Sequence, residues 1–342
     1  MGLTYATDVA ALVRENLSPT VTDNIFKKSP VLDALKKTMK PYTGLPIQEL
    51  ITYDTRAGTW IDIDEQLVHA PSPSVTRASY TRYNMYTPCM VNTIELQEAS
   101  GPEALANLMT TEVTNATESF REELSKKLFI TQASKAFNSL YDAANDTTGY
   151  GGIATADFAG WKAFVMEASS GGTTTSVAPS IANIKSMINR MVVRTGKRPD
   201  MVVVHPDYYD ALVPQVDAID QLVGTRVRDI IDMGFTALSV MGGIPIVQDE
   251  SMCGTTWSSG ARANGYEALI LNFDAVRIRH LAQSSFKLSE VFVPNDYWTQ
   301  FARIEFHGNI TCNNRRCLGH IFNVDLALDP TDWYPGVVVA PG

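Results

Sequence analysis

The sequence predicts an α+β chain in which long extended segments and one long helix surround a smaller α/β unit. Three observations carry that reading. Residues 100 to about 138 hold a single amphipathic helical stripe. Residues 46 to 97 read as two strand-like arms around a Pro/Ser tip, and alternation of helix and strand begins at Ser180. A chain of 342 residues suits one elaborate domain or two to three subdomains, and 45% hydrophobic with 19% charged residues is a globular composition. The net charge of -9 argues against a nucleic-acid reader, which carries a basic face, but not against a protein that merely surrounds nucleic acid. No signal-peptide pattern opens the chain, and no apolar run approaches the roughly 18 residues of a membrane span, so no membrane contact is expected. The cysteines Cys89, Cys253, Cys312 and Cys317 are too sparse for a disulfide scaffold and read as free thiols of a reducing compartment.

Residues 1–45 read as an N-terminal arm. A short helix (Asp8 to Asn16) ends before Ser18-Pro19 and a second (Pro30 to Met39) ends before Pro41. The apolar Ile25, Phe26, Val31, Leu32 and Leu35 lack neighbouring sequence to cover them, which predicts packing on another part of the fold or on another subunit. In residues 46–97, Ile47 to His69 and Val75 to Leu96 flank the turn-forming Ala70-Pro-Ser-Pro-Ser74. The second arm is rich in β-branched and aromatic residues, among them Val75, Thr76, Tyr80, Tyr83 and Tyr86. Each arm of about 20 residues reaches roughly 65 Å when extended. A lone ribbon of that length is marginal in water. With no local partner sheet in the sequence, it is expected to lie on a neighbouring subunit; folding back into its own sheet is the alternative.

The helix that follows starts at the capping box Ser100-Gly-Pro-Glu103. Leu105, Met109, Val113, Ala116, Phe120, Leu124 and Leu128 form its stripe, with Thr111, Thr114, Glu118 and Glu122 off it. Thirty residues make a rod of about 45 Å. Asp146 to Gly152 reads as a flexible connector, Ala156 to Ala168 as helical, and Ser169 to Ser176 as a loop between subdomains. Residues 180–275 are the α/β unit: a helix over Ile181 to Val193 closed by Thr195-Gly-Lys-Arg-Pro199, a buried strand Met201 to His205, a short helix from Pro206, and strands at Gly242 to Val247 and Tyr266 to Phe273. Strands return in residues 276–342 at Val276 to Leu281, Lys287 to Val293, Trp298 to Phe306 and Leu318 to Leu326. Asn313 to Arg316 reads as a turn, and the tail from Asp329 as a loose end.

Candidate chemistry is thin. His307, Cys312, Cys317 and His320 are four potential zinc ligands within fourteen residues, but they lack a CxxC knuckle, and residues five apart on a strand face opposite ways. Buried thiols in a sheet fit better. No nucleophile elbow, P-loop or dinucleotide glycine motif follows a strand. His205 ends a buried strand before Pro206 and reads as structural. Asp62, Asp64 and Glu65 read as solvated charges on the ribbon, and Arg315-Arg316 as an intersubunit ion pair. No catalytic, cofactor or metal site is assigned, and no cofactor is expected.

The order of parts, with Gly242-Gly-Ile-Pro-Ile-Val-Gln-Asp-Glu-Ser-Met252, Arg277-Ile-Arg-His-Leu281, Phe301 to Ile310 and Asn314-Arg-Arg-Cys-Leu-Gly-His320, resembles the major capsid protein of tailed bacteriophages, the Hong Kong 97-type fold. The resemblance implies a non-enzymatic shell protein of the virion, assembled in the host cytoplasm as hexamers and pentamers that close an icosahedral capsid around double-stranded DNA. It implies that residues 46–97 are the E-loop, residues 98–179 the spine helix and P-domain, residues 180–275 the A-domain, and residues 276–342 returning P-domain strands and tail. It further implies a portal, a separate scaffolding protein (the 45-residue arm is too short to be one, unless the chain is already processed) and an optional decoration protein. Some members join an E-loop lysine to a neighbour's asparagine; residues 46–97 hold Arg56, Arg77 and Arg82 but no lysine, so single bands are expected on denaturing gels. An encapsulin-type nanocompartment shell is the alternative within the fold, and a metal-dependent enzyme using His205 or the Cys/His group is the alternative outside it.

Overall fold

Long-range strand pairing, more than any local element, organises this chain. The computed structural model describes residues 29–52, 75–92, 102–130, 137–158, 160–167, 177–223, 238–241, 243–252, 266–282, 285–292, 299–327 and 337–339. In chain order these form α1 (Pro30–Thr38), β1 (Lys40–Pro41), β2 (Ile47–Thr52), β3 (Val75–Tyr80), β4 (Tyr83–Asn92), α2 (Pro102–Leu128), α3 (Leu140–Ala143), β5 (Phe164–Glu167), α4 (Ile181–Thr195), β6 (Met201–Val204), α5 (Pro206–Val223), β7 (Leu238–Val240), β8 (Ile244–Gln248), β9 (Tyr266–Leu271), β10 (Val276–His280), β11 (Lys287–Leu288), β12 (Thr299–Cys312), a 3₁₀ turn (Arg315–Cys317), β13 (Gly319–Val324) and β14 (Val337–Val339).

The fourteen-residue β12 is the beam of a five-stranded sheet. Its first part pairs antiparallel with all of β4, from Thr299↔Asn92 to Gly308↔Tyr83, and its end pairs with β10. This corrects the expectation of a free second arm. Among the described residues, Val75–Tyr80 is the part that pairs with the first arm, as the two-stranded sheet β2–β3. The next strand is built into the core sheet, because Cys89 and Val91 bury one face while Asn84, Tyr86 and Met90 stay outside.

α2 covers the buried face of β4 and β12. Val113, Ala116, Phe120, Leu124 and Leu128 of its stripe are buried, and Phe120 meets Phe286 edge-on at 6.2 Å. α1 is capped by Ser29, and Val31, Leu32 and Leu35 are fully buried against the same core near β10. The arm therefore packs at this point on its own subunit. Asp8 to Asn16 and the ribbon tip lie outside the described residues.

The seven-stranded sheet runs β14-β5-β13-β9-β6-β8-β7. It takes strands from three distant stretches. Phe164–Glu167, expected to be helical, is a strand beside β13, since a short apolar run carries no periodicity that separates the two states. β13 belongs here, between β5 and β9, rather than with the other returning strands. Val337–Val339 of the expected loose tail pairs with β5. α4 follows its sequence signals closely, with Ser180 as N-cap and Gly196 at φ +68 closing it. α5 is longer than expected, running 18 residues through Pro214.

Candidate functional site

The four potential zinc ligands do not converge. His307 and Cys312 lie on β12, Cys317 ends the 3₁₀ turn, and His320 is on β13. His307 is held by Asn84 Oδ1 at 2.8 Å and Glu305 Oε2 at 2.9 Å, whereas His320 is buried with Nε2 3.0 Å from Glu267 Oε2. Burial pushes the Cys312 thiol up to about 12 and raises Cys317, the opposite of what a thiolate ligand needs. No group of three His, Cys, Asp or Glu residues arranged to hold a metal occurs among the described residues. His205 opens α5: its Nδ1 accepts the Asp207 N–H and its carbonyl accepts the Tyr209 N–H. Burial lowers its pKa, which favours that neutral acceptor form. Asp62, Asp64 and Glu65 lie outside the described residues.

Arg315 corrects the sequence reading most sharply. Its side chain is fully buried, so it is not an intersubunit ion pair. Its five N–H donors are all used on backbone carbonyls: Nε to Ala143, Nη1 to Thr148 and Trp161, Nη2 to Asp142 and Asn145. The guanidinium also lies over the rings of Tyr150 and Trp161, at 5.6 and 6.0 Å. Two of those carbonyls end the single turn of α3, where a cation meets the negative end of the helix. Sequence showed the charge but not the carbonyl cage, which is assembled from residues more than 150 positions upstream.

The same cage closes the segment read as a flexible connector. Tyr150 is buried, its hydroxyl donates to Ile310 O at 2.8 Å, and Trp161 Nε1 donates to Tyr150 O at 2.9 Å. The loop then docks on the hairpin: Ser79 N–H donates to Gly151 O at 2.8 Å. Gly151 has φ +64, and a Cβ there would sit 2.8 Å from both Ala78 Cβ and the Tyr80 ring. Glycine is required on both counts.

Three further ties root the hairpin. The Tyr80 hydroxyl donates to Cys312 O at 2.7 Å and accepts from Cys312 N at 3.2 Å. Glu49, almost buried on β2, pairs with Arg279 Nε at 2.6 Å and accepts from Thr311 Oγ1 at 3.1 Å. Asn309 Nδ2 donates to Thr81 O at the break between β3 and β4. Large apolar side chains face outward on the hairpin, Leu50 on β2 and Val75 on β3, and on the core-sheet strand β4, Tyr86 and Met90. The arrangement is a two-stranded element with a polar, buried foundation and an outer face on which Leu50 and Val75 stand exposed beside Gln48 and Arg77.

No protein-family profile and no curated relative matches the chain in sequence. Solved structures match it in fold. A chain of the cyanophage A-1(L) capsid aligns with TM-score 0.60 and 14% identity, covering 87% of this chain and 93% of that one. A chain from the capsid of a native GTA particle gives 0.54 and 10% identity over 85% and 90%. One from the capsid of the Myoviridae phage XM1 gives 0.52 and 10% over 85% and 91%. The chain has the Hong Kong 97-type fold of phage capsid proteins.

Proposed function

We propose that this chain is the structural shell subunit of a tailed bacteriophage, residing in the virion and acting without catalysis. Copies associate as hexamers and pentamers that close an icosahedral capsid around double-stranded DNA, aided by a separate scaffolding protein, a portal and an optional decoration protein. Residues 46–97 serve as E-loop, with Tyr83–Asn92 also a strand of the P-domain sheet. α2 is the spine, and residues 180–275 form most of the A-domain, completed by β5, β13 and β14.

The observation that carries this reading is the rooted hairpin on a fold shared, over nearly the full length of both chains, with a phage capsid chain. A monomer has no use for a projecting ribbon with Leu50 and Val75 turned outward. A shell does, because many modest contacts become strong through multivalency.

Electron microscopy of the expressed protein, alone and with its scaffold, tests the proposal. Closed shells or capsomer rings are expected; a stable monomer under all conditions overturns it. Shells that enclose an enzyme cargo instead of DNA replace it with the nanocompartment reading.

A further inference from the structure

Two neighbouring helices of the α/β unit carry opposite charge. α4 contains Lys185, Arg190 and Arg194 and no carboxylate, and Lys197 and Arg198 follow its Gly196 cap. α5 contains Asp207, Asp210, Asp217 and Asp220 and no basic residue. The helices α1 and α2 instead mix their charges, α1 pairing Asp33 with Lys37 and α2 pairing Glu122 with Lys126 and Glu123 with Lys127.

Both helices bury their apolar stripes in one cluster, where Ile184, Met187, Ile188 and Met191 of α4 meet the same sheet face as Tyr208 and Leu212 of α5. Gln215 of α5 ties them at one end, its Oε1 accepting the Ile181 N–H at 3.1 Å. α4 lies over β5 and β13 and α5 over β8. In the sheet order these are three to four strand spacings apart, about 17 Å at 4.8 Å per strand. The two charges thus lie on separate helices, with Arg190, Arg194, Lys197, Asp207 and Asp210 all exposed. Val193, between Arg190 and Arg194, is 85% exposed. An apolar side chain flanked by arginines is the composition of an interface centre.

We propose that α4 of one subunit docks on α5 of the next copy of this chain, in a head-to-tail contact that repeats around a ring. The inference rests on the shell reading. A head-to-tail contact joins two different patches of one chain, so its complementary charges must reside on separate elements. α4 and α5 meet that requirement, whereas a two-fold contact through α4 would set arginine against arginine. The charges set register and approach, and Val193 adds the apolar contact. A polyanion on α4 would leave the acidic helix without a role.

Charge exchange in the full-length chain tests the contact, read by sedimentation velocity and negative-stain microscopy with far-UV circular dichroism as the fold control. R190E/R194E is expected to lower the assembled fraction about tenfold, D207K/D210K to do the same, and the four changes together to restore it to within about twofold. Val193→Asp is the second probe, expected to lower assembly with every basic residue of α4 in place, and wild-type assembly is expected to weaken as salt rises. Unimpaired assembly of R190E/R194E overturns the contact, as does a folded four-change variant that stays dissociated. So does loss of binding to a double-stranded DNA fragment by R190E/R194E with assembly intact, which makes α4 a polyanion surface. Failure of the wild-type chain itself to assemble overturns the shell reading instead, so the two failures are distinguishable.

Discussion

The two-stranded sheet β2–β3 and the seven-stranded sheet use similar residues but hold their places by different means. In the large sheet, Val202, Val203 and Val204 are all buried, because core lies on both faces, and Ala268 to Leu271 on the adjacent strand repeat the pattern. In the hairpin only alternate residues are buried: Ile47, Glu49 and Ile51 go in while Leu50 is 65% exposed. What holds the hairpin is a handful of directional ties at its root, from Tyr80, Glu49, Ser79 and Gly151. A sheet stabilised by area resists loss of any one group locally and fails globally. An element stabilised by a few ties can be loosened alone.

The largest effect is expected at Arg315, which supports both regions by closing the loop between α3 and β5. Arg315→Met strands five carbonyls in the interior and should cost about 3–5 kcal/mol, read as a fall in thermal midpoint. Arg315→Lys should recover little, since three donors on a flexible stem cannot reach five acceptors in a plane. Full stability of the lysine variant would show that charge, not the fork, is what matters there.

Ile270→Ala, at a fully buried position of β9, should cost about 2–5 kcal/mol and raise amide hydrogen exchange throughout the large sheet. Gly151→Ala should cost about 1–3 kcal/mol through its positive φ and the 2.8 Å approach to Ala78 and Tyr80. Its exchange signature should be confined to β2 and β3. Tyr80→Phe leaves Cys312 N and O without their partner and should cost about 1–2 kcal/mol, again with faster exchange limited to the hairpin. Exchange that spreads into β6 and β9 in either variant would erase the contrast between the two regions.

The smallest effect concerns pH. Burial lowers the pKa of His280, so the folded state binds fewer protons there than the unfolded chain does. Stability from this group is therefore full above the ordinary value near 6.5 and falls as pH drops through it toward the folded pKa. A slight decline in thermal midpoint from pH 7 to 5 should flatten in His280→Gln. An unchanged slope would remove His280 as its source.

What the sequence disclosed was whatever repeats within a few residues. The stripe from Val113 to Leu128, the closure of α4 at Thr195-Gly196 and the continuous run of β6 are local patterns, and all stand in the fold. What it concealed was pairing at a distance. β4 finds β12 more than 200 positions later, and nothing within residues 46–97 encodes that partner. Arg315 showed only its charge, because its five acceptors are main-chain oxygens and identical in every residue type. Phe164 to Glu167 was too short for a period to declare itself.

The continuity of β3 into β4 has a mechanical consequence. Only Thr81 and Arg82 separate a strand of the projecting hairpin from one bonded along ten residues to β12. Traction on the hairpin along β4 is resisted in shear by that whole ladder at once, not peeled open rung by rung as at a frayed edge. Asn309, bonded to Thr81 O, stands where the load enters. The hairpin is thereby anchored to the longest strand described, and a load applied to it passes to β12 before any helix must yield.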